Sequence, residues 1–230
     1  ETKTAARMAK ELRAIPGIQV TEKVGGTGVV GVMKNGVGPT VLVRADMDGL
    51  PLKEANGLAN ASTVVQTGID GVASPVMHAC GHDVHITSLI GTAMRLAAMK
   101  NDWRGTVVFV VQPAEERIGG ARKMLEDGLY TRFPKPDYAL AFHVSSAFPT
   151  GTLVADPGIR YSSSDSVDIT IHGVGGHGAS PHQTKDPVVM GAEPSLKLEA
   201  SPLFEAMPMS GFAGLMASAS WNRSALFSPN

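Results

Sequence analysis

Residues 77–85 read Met-His-Ala-Cys-Gly-His-Asp-Val-His, and the rest of the sequence is organised around this stretch. It places three imidazoles, one thiol and one carboxylate directly before an apolar pattern with helical spacing. Cys80 is the only cysteine, so it has no disulfide partner within the chain. Its thiolate and the His82 imidazole offer a divalent cation mixed sulfur and nitrogen ligation. The alternative is a buried structural thiol before a helix whose first turn is rich in histidine.

The segments around this stretch alternate between strand and helix patterns. Apolar periodicity predicts helices at 4–13 and 83–100 and a shorter helix after Gly119-Gly120. Short β-type runs lie within 17–32, and Asn35-Gly36 is a hairpin signal before the next strand. Three apolar strands are predicted at 40–44, 106–112 and 138–142, the first two of the kind buried on both faces. This order is typical of an α/β protein with a largely parallel sheet flanked by helices.

The pattern changes near residue 163. Residues 166–172 alternate apolar and polar side chains, which predicts a half-buried strand of a separate antiparallel sheet. After a glycine-rich loop, Asp186 is the expected N-cap of a helix with Pro187 at its first position. We therefore predict two domains, a larger α/β domain at 1–163 and a smaller α+β domain at 164–230. From about residue 194 the second domain is anomalous, because Pro194 interrupts the helix and no periodicity follows.

Composition excludes several classes of protein. Of the 230 residues, 43% are hydrophobic and 18% are charged, as in an ordinary globular chain. The net charge of −1 gives no basic surface for nucleic acid or an anionic membrane. No apolar run approaches the roughly 20 residues that span a bilayer. A single cysteine and a charged first segment that does not resemble a signal peptide lead us to expect a cytoplasmic protein.

Potential metal ligands follow all three apolar strands at their carboxyl ends: Asp46 and Asp48, then Glu115 and Glu116, then His143. Sites in open α/β sheets form beyond these strand ends, and the Cys80/His82 loop lies between the first two strands in sequence. Each residue alone has an ordinary interpretation, as a solvated acid or a hydrogen-bonded core histidine. Their joint placement predicts a metal site. The adjacent acids further allow one carboxylate to bind a cation while its neighbour accepts a proton from water.

Five motifs in this order resemble one family: Arg-Ala-Asp-Met-Asp-Gly-Leu-Pro at 44–51, His-Ala-Cys-Gly-His-Asp at 78–83, Gln-Pro-Ala-Glu-Glu at 112–116, Phe-His at 142–143 and Gly-Gly-His at 175–177. They are similar to the dinuclear metal amidohydrolases of the aminoacylase/carboxypeptidase superfamily. The most similar branch is the N-acyl-amino-acid hydrolases, which include hippurate hydrolase and indole-acetyl-amino-acid hydrolases. The resemblance covers about residues 1–193 and implies hydrolysis of the amide of an N-acyl amino acid by a metal-activated water.

The resemblance also implies the role of each matching residue. Two divalent ions, Zn or Mn with Co or Ni as further options, would be held by four ligands: Cys80, His82, Glu116 and His143. Cys80 could bridge the ions, Glu115 would be the general base, and Asp48 would orient a ligand from behind. His177 would lie in a domain that mediates homodimerisation and would stabilise the oxyanion in the partner's site, although a turn residue is the alternative. Four other histidines stay structural or unassigned: His78, His85, His172 and His182.

The sequence departs from the family pattern in two ways. Family members carry a further metal-binding histidine late in the chain, and no histidine follows His182 here. The chain also lacks a starting Met, the residues that normally precede Glu1 and the returning strands of the larger domain. We therefore expect a truncated chain in which residues after about Glu193 are an out-of-frame translation, a hypothesis that the other two reading frames of the DNA test. The alternative function is a truncated relative that binds metal or dimerises without turnover.

Overall fold

The computed structural model describes residues 1–69, 71–155, 157–158, 167–192 and 217–218. The chain divides into two compact units, Glu1–Gly151 and Thr152–Asn230. The helices of the first unit are α1 (Thr2–Ala14), α2 (His82–Ala98), α3 (Gly120–Glu126) and α4 (Leu129–Arg132). Its strands are β1 (Ile18–Val24), β2 (Gly28–Asn35), β3 (Thr40–Asp46), β4 (Val65–Thr67), β5 (Ala73–Pro75), β6 (Gly105–Gln112) and β7 (Tyr138–Ala141). Among the described residues, no helix is both long and apolar enough to cross a bilayer.

Five of these strands form one mixed sheet in the order β1-β2-β6-β3-β7. Strands β6, β3 and β7 run parallel to one another, and β1 and β2 extend the sheet antiparallel. Helix α2 lies in the connection between β3 and β6, and α3 and α4 lie in the connection between β6 and β7. The predicted α/β fold with helices flanking the sheet is confirmed. Its parallel part, β6, β3 and β7, contains the strands that the potential metal ligands follow.

The sheet is covered on both faces by apolar side chains at the spacing that the sequence showed. On one face α1 packs through residues at positions i, i+3, i+4 and i+7: Ala5, Met8, Ala9 and Leu12. They meet Phe109 of β6 and Leu89 of α2 in one buried cluster. On the other face Met124 of α3 and Leu129 of α4 pack against Val108 and neighbouring strand residues. Strand β6 is therefore buried on both faces, which explains its uninterrupted apolar sequence.

The hairpin predicted at Asn35-Gly36 is wrong, because β2 and β3 do not pair. Strand β6 lies between them, antiparallel to β2 and parallel to β3. Gly36 does reverse the chain with a φ of 80°. The absence of a side chain at Gly38 lets the chain pack closely against the start of β6, since a Cβ on Gly38 would lie 2.8 Å from the Arg104 carbonyl oxygen. Asn35-Gly36 thus predicts the local turn, but long-range pairing decides which strands become neighbours.

Strand β7 is the edge of the sheet among the described residues, and all four of its side chains are exposed. Its sequence is as apolar as that of a buried strand, with Tyr138 and Leu140 both more than half exposed. The apolar pattern therefore predicted the strand correctly, but it did not predict its exposed position at the edge.

In the second unit, the helix predicted after Asp186 is present at residues 187–192. The Asp186 Oδ1 atom accepts a hydrogen bond of 2.8 Å from the Val188 backbone N–H, as an N-cap does. The strand predicted at 166–172 is limited in the described residues to β8 (Val167–Asp168). The predicted antiparallel pairing is wrong for this strand, because β8 pairs parallel with β9 (Ala217–Ser218). A strand needs a hydrogen-bonded neighbour along its length, and the described chain supplies only that pair. The predicted domain boundary at 163 and the anomaly at 194 lie outside the described residues.

Candidate metal centre

The carboxyl ends of the three parallel strands and the first turn of α2 meet at one edge of the sheet. Strand β3 ends at Asp46, and Asp48 follows two residues later. After β6 the chain turns at Pro113 into the Glu115-Glu116 loop. All of these residues lie in the first unit, together with the Cys80 loop and the residues that follow β7. The structure thus brings together side chains that are far apart in sequence, as the strand order requires.

His82 is fully buried at the first position of α2, and its ring has one defined orientation. The Nδ1 atom lies 2.9 Å from the Asp48 carbonyl oxygen, so Nδ1 carries the proton and donates it. The other nitrogen, Nε2, therefore presents its lone pair to the site. It has no hydrogen-bond partner and lies 3.9 Å from Glu116 Oε1 and 3.8 Å from Glu115 Oε2. A histidine fixed by a carbonyl on one nitrogen and free on the other is typical of a metal ligand.

The His143 ring is also oriented by a backbone carbonyl oxygen on its Nδ1 atom. Its Nδ1 lies 2.7 Å from the Val144 carbonyl oxygen, and its Nε2 lies 3.3 Å from Cys80 Sγ. Gly81, which precedes α2, has a left-handed φ of 80°, and a Cβ there would lie 2.4 Å from Val144 Cγ2. Glycine at this position therefore lets the Cys80 loop turn sharply and approach the end of β7.

The two adjacent glutamates differ in their surroundings. The Glu116 side chain is 16% exposed and its Oε1 atom is buried without a hydrogen-bond partner, whereas the Glu115 side chain is 40% exposed. The Glu116 backbone N–H donates to Asp48 Oδ2 at 3.0 Å, which ties the loop to the end of β3. Ala114 and Ile118 flank the pair with positive φ angles of 45° and 52°. Left-handed backbone at residues with a Cβ is strained, and such strain clusters at functional sites.

The electrostatics of the site favour a cation. Burial and the neighbouring carboxylates of Glu116 and Glu115 raise the pKa of the Cys80 thiol to about 11. Burial opposes charge on His82, but its hydrogen bond to Asp48 and the carboxylate of Asp46 outweigh burial and raise its pKa. Burial also raises the pKa of the Glu116 carboxyl, with a further contribution from Glu115. Neighbouring carboxylates contribute to all three shifts, and a metal cation would relieve the same concentration of negative charge.

The Asp46 and Asp48 carboxylates are stabilised in their charged form. Burial alone would raise the pKa of Asp46, but the hydrogen bond from His85 and the Arg44 guanidinium lower it. Arg44 Nη1 lies 2.8 Å from Asp46 Oδ2 as an ion pair. Burial likewise opposes ionisation of Asp48, and contacts with His82 and the Glu116 N–H lower its pKa. Both aspartates therefore stay negative next to the His82 ring, Asp48 beside Nδ1 and Asp46 with its Oδ2 atom 3.5 Å from Nε2.

Among the described residues, three groups place their ligand atoms within 4.8 Å of one another: Cys80 with His82 and His143, His82 with Glu115 and Glu116, and Asp46 with His82 and His85. His82 belongs to all three groups. In the third group both ring nitrogens of His85 are already engaged, by Asp46 and by the Val144 N–H. The first two groups, with unpartnered atoms on His82 and Glu116, fit a divalent cation by donor chemistry and by charge.

The sequence-predicted site residues have different outcomes. The structure brings together Cys80, His82, Glu115, Glu116, His143 and Asp48, whereas their individual roles stay predictions. His177 lies exposed in the second unit, where its Nδ1 accepts the Ala179 N–H at 3.1 Å, and its role stays a prediction too. Sequence reasoning left His85 unassigned. It follows His82 by three residues on the same face of α2, and that spacing was the signal that could have found it.

The fold and the site define an α/β protein with a candidate metal centre at the strand ends. The chain belongs to peptidase family M20/M25/M40, whose family model matches residues 42–219. That match continues past residue 193, where the sequence pattern was expected to end. Residues 193–216 lie outside the described part of the chain, so the out-of-frame hypothesis stays a prediction.

Two relatives and one solved structure illustrate the similarity. Thermostable carboxypeptidase 2 of Saccharolobus solfataricus is 40% identical over 192 residues, which are 82% of this chain and 46% of the relative. Hippurate hydrolase of Campylobacter jejuni is 40% identical over 186 residues, 80% of this chain and 45% of the relative. A structure from methicillin-resistant Staphylococcus aureus, provisionally named an aminohydrolase, has 32% identity and a TM-score of 0.62 and covers 91% of this chain and 53% of that one. The chain thus spans about half the length of these curated relatives.

Proposed function

We propose that this chain carries the metal-binding part of a hydrolase that cleaves the amide of N-acyl amino acids or related small amides. The observation that carries the proposal is the pair of buried, unpartnered ligand atoms, His82 Nε2 and Glu116 Oε1, at 3.9 Å from one another. Leaving such atoms without partners is costly in a folded protein unless something binds them. The negative surroundings favour a cation as that partner.

The ligands proposed for two divalent ions are Cys80, His82, Glu116 and His143. The unpartnered Nε2 atom of His82 and the 3.3 Å contact between His143 Nε2 and Cys80 Sγ support this set. Zn and Mn suit sulfur, imidazole and carboxylate donors, and Co and Ni are further options. When bound, the ions would polarise the scissile carbonyl and lower the pKa of water at the site.

The protein's own residues would position and move protons around that chemistry. Glu115 is the proposed general base: its more exposed carboxylate accepts a proton from the attacking water and later gives it to the leaving amine. Asp48 positions two ligands at once, His82 through its carbonyl oxygen and Glu116 through its carboxylate. Asp48 makes both contacts, and it lies directly beyond the end of β3. The sheet therefore fixes the spacing of the two ligands.

His177 is the proposed donor to the oxyanion that forms as water attacks the carbonyl. In this proposal the second unit mediates a homodimer and His177 acts in the partner's site. Its exposure and its position in a glycine-rich loop are compatible with reaching another chain. The cytoplasmic setting belongs to the same proposal, since Cys80 is a free thiol whose proposed role requires it to stay reduced.

The substrate class rests on the relatives. Hippurate hydrolase is named for an N-acyl amino acid, and a carboxypeptidase removes the last residue of a peptide, which is itself an amino acid acylated on nitrogen. We therefore propose a small substrate with an amide next to a free carboxylate.

Elemental analysis of the purified protein, together with hydrolysis of a panel of N-acyl amino acids after addition of Mn²⁺ or Zn²⁺, tests the proposal. Stoichiometric metal and release of a free amino acid are expected. Full metal occupancy without hydrolysis of any substrate would favour the alternative, a relative that binds metal without turnover. Absence of metal binding would contradict both.

A further inference from the structure

Asp46 and His85 form a buried pair that the proposed chemistry does not use. Each residue is 1% exposed, and His85 Nδ1 lies 2.6 Å from Asp46 Oδ1. Asp46 is the last residue of β3, and His85 lies in the first turns of α2. A charged group and an imidazole buried together need a structural or functional reason, because burial of polar groups is costly unless they are fully paired.

The other side of the His85 ring contacts the chain that follows β7. The Val144 backbone N–H donates to His85 Nε2 at 3.1 Å. A backbone N–H can only donate, so Nε2 presents its lone pair and the proton of the neutral ring lies on Nδ1. That proton is donated to Asp46. The two hydrogen bonds together define the tautomer of His85 without ambiguity.

The next contact along the chain fixes His143. The Val144 carbonyl oxygen accepts the His143 Nδ1–H at 2.7 Å, which leaves His143 Nε2 facing Cys80 Sγ. The His85 and His143 ring centroids also lie 4.4 Å apart in an edge-to-face arrangement. Val144 thus receives its orientation from His85 on its N–H and gives an orientation to His143 through its carbonyl.

His143 needs a contact that fixes its side chain, because it lies beyond the hydrogen-bonded part of the sheet. The register between β3 and β7 ends at the pair Arg44 and Ala141, so His143 lies beyond the ladder. Strand β7 has exposed side chains and a single neighbouring strand among the described residues. A residue that leaves an edge strand has little to hold its side chain in one direction.

We propose that Asp46 and His85 are positioning residues for His143. Asp46 selects the His85 tautomer, and His85 holds the His143–Val144 peptide through the Val144 N–H. The carbonyl oxygen of the same residue, in the next peptide unit, directs Nε2 of His143 toward Cys80. The inference deepens the proposed function, since it takes His143 as a ligand. It also gives the pair a role other than direct ligation, because a ligating His85 would have to release either Asp46 or Val144.

Two substitutions of His85 remove its two hydrogen bonds one at a time, the bond to Asp46 or the bond from Val144. In His85→Asn the amide nitrogen takes the position of Nδ1 and still donates to Asp46, but the side chain is too short to reach Val144. In His85→Gln the amide oxygen takes the position of Nε2 and still accepts from Val144, but the donor to Asp46 is lost. The proposal requires the Gln variant to keep His143 in place and the Asn variant to release it.

The first readout is Zn²⁺ affinity of the full chain, measured by competition with a chromophoric chelator. His85→Asn should weaken binding by about 10- to 100-fold, the usual effect of removing a group that orients a ligand, and His85→Gln by much less. Met94→Ala, an exposed position on the same helix, is the control and should bind as the wild type does. Equal affinity of all three variants and the wild type would overturn the proposal.

The second readout needs neither metal nor activity. Long-range ¹H–¹⁵N NMR of the metal-free protein assigns the tautomers, and His85 and His143 should both carry their proton on Nδ1 in the wild type. In folded His85→Asn the His143 ring should lose that preference. A wild-type His143 protonated on Nε2 would overturn the proposal even if the Asn variant fails to fold. If the wild type binds no Zn²⁺, the proposed function fails. The tautomers of His85 and His143 in the metal-free protein would still test the positioning role on their own.

Discussion

Cys80 Sγ and His143 Nε2 lie 3.3 Å apart, although 63 positions separate them in the sequence. With a thiol pKa of about 11, the sulfur carries its proton at neutral pH and can donate it to the free nitrogen of His143. The metal-free site thus contains a contact between the Cys80 thiol and the His143 imidazole where the proposed ligands meet. A cation that binds both atoms has to replace this proton, and the first prediction follows from that exchange.

Metal affinity should rise with pH. Binding needs the Cys80 thiolate, and the thiol stays protonated below about 11, so each pH unit below that value should cost about a factor of ten in Zn²⁺ affinity. The raised pKa of His82 acts in the same direction, since a protonated ring cannot ligate. Competition titrations between pH 6.5 and 8.5 measure the slope. Cys80→Ser should bind more weakly with a shallower slope, and a pH-independent wild-type affinity would contradict the prediction.

Glu115→Gln should abolish turnover while leaving metal content unchanged. The amide keeps the size of the side chain but cannot accept a proton from water, and loss of a general base costs about 10²- to 10⁴-fold in kcat. Glu126→Gln, an exposed glutamate on α3, is the matched control and should leave kcat unaltered. Loss of metal together with loss of turnover would instead place Glu115 among the ligands.

The convergence of the predicted site residues could be read from the sequence because the strand ends of a parallel sheet converge by topology. Once β3, β6 and β7 are recognised as strands, Asp48, Glu116 and His143 must lie at one edge whatever the loops do. Apolar periodicity likewise predicted α1 and α2 to within a few residues, since the buried face of each helix repeats at helical spacing.

The remaining features depend on contacts that no local pattern encodes. The turn at Gly36 is visible in the sequence, but the insertion of β6 between β2 and β3 is decided by pairing over about 70 residues. The exposure of β7 depends on which strands neighbour it. The link from His85 to His143 runs through the backbone N–H and carbonyl oxygen of Val144, so the Val144 side chain carries no information about it.

Glu116→Gln should stabilise the metal-free protein and reduce its stabilisation by metal. Burial and Glu115 raise the pKa of Glu116, so above that pKa its charge disfavours the folded state, and the cost is relieved as pH falls through it. At pH 7 the variant's Tm should therefore exceed that of the metal-free wild type, with a difference that shrinks toward acid pH. Wild-type protein should gain about 2.7 kcal/mol at a Zn²⁺ concentration 100 times Kd. A Gln variant stabilised equally by Zn²⁺ would exclude Glu116 as a ligand.

Gly120→Ala should destabilise the fold and disturb the site from outside it. Gly120 is the first residue of α3, and a Cβ there would lie 1.6 Å from the Pro113 carbonyl oxygen. Either α3 or the loop that carries Glu115 has to move, at a cost of about 3 kcal/mol in urea unfolding. Gly91→Ala is the matched control, since that exposed glycine within α2 has open space around it and should gain about 0.5–1 kcal/mol from helix propensity. Because Pro113 and Glu115 belong to one loop, Gly120→Ala should also weaken Zn²⁺ binding, whereas unaltered stability and affinity would show that this close approach is not required.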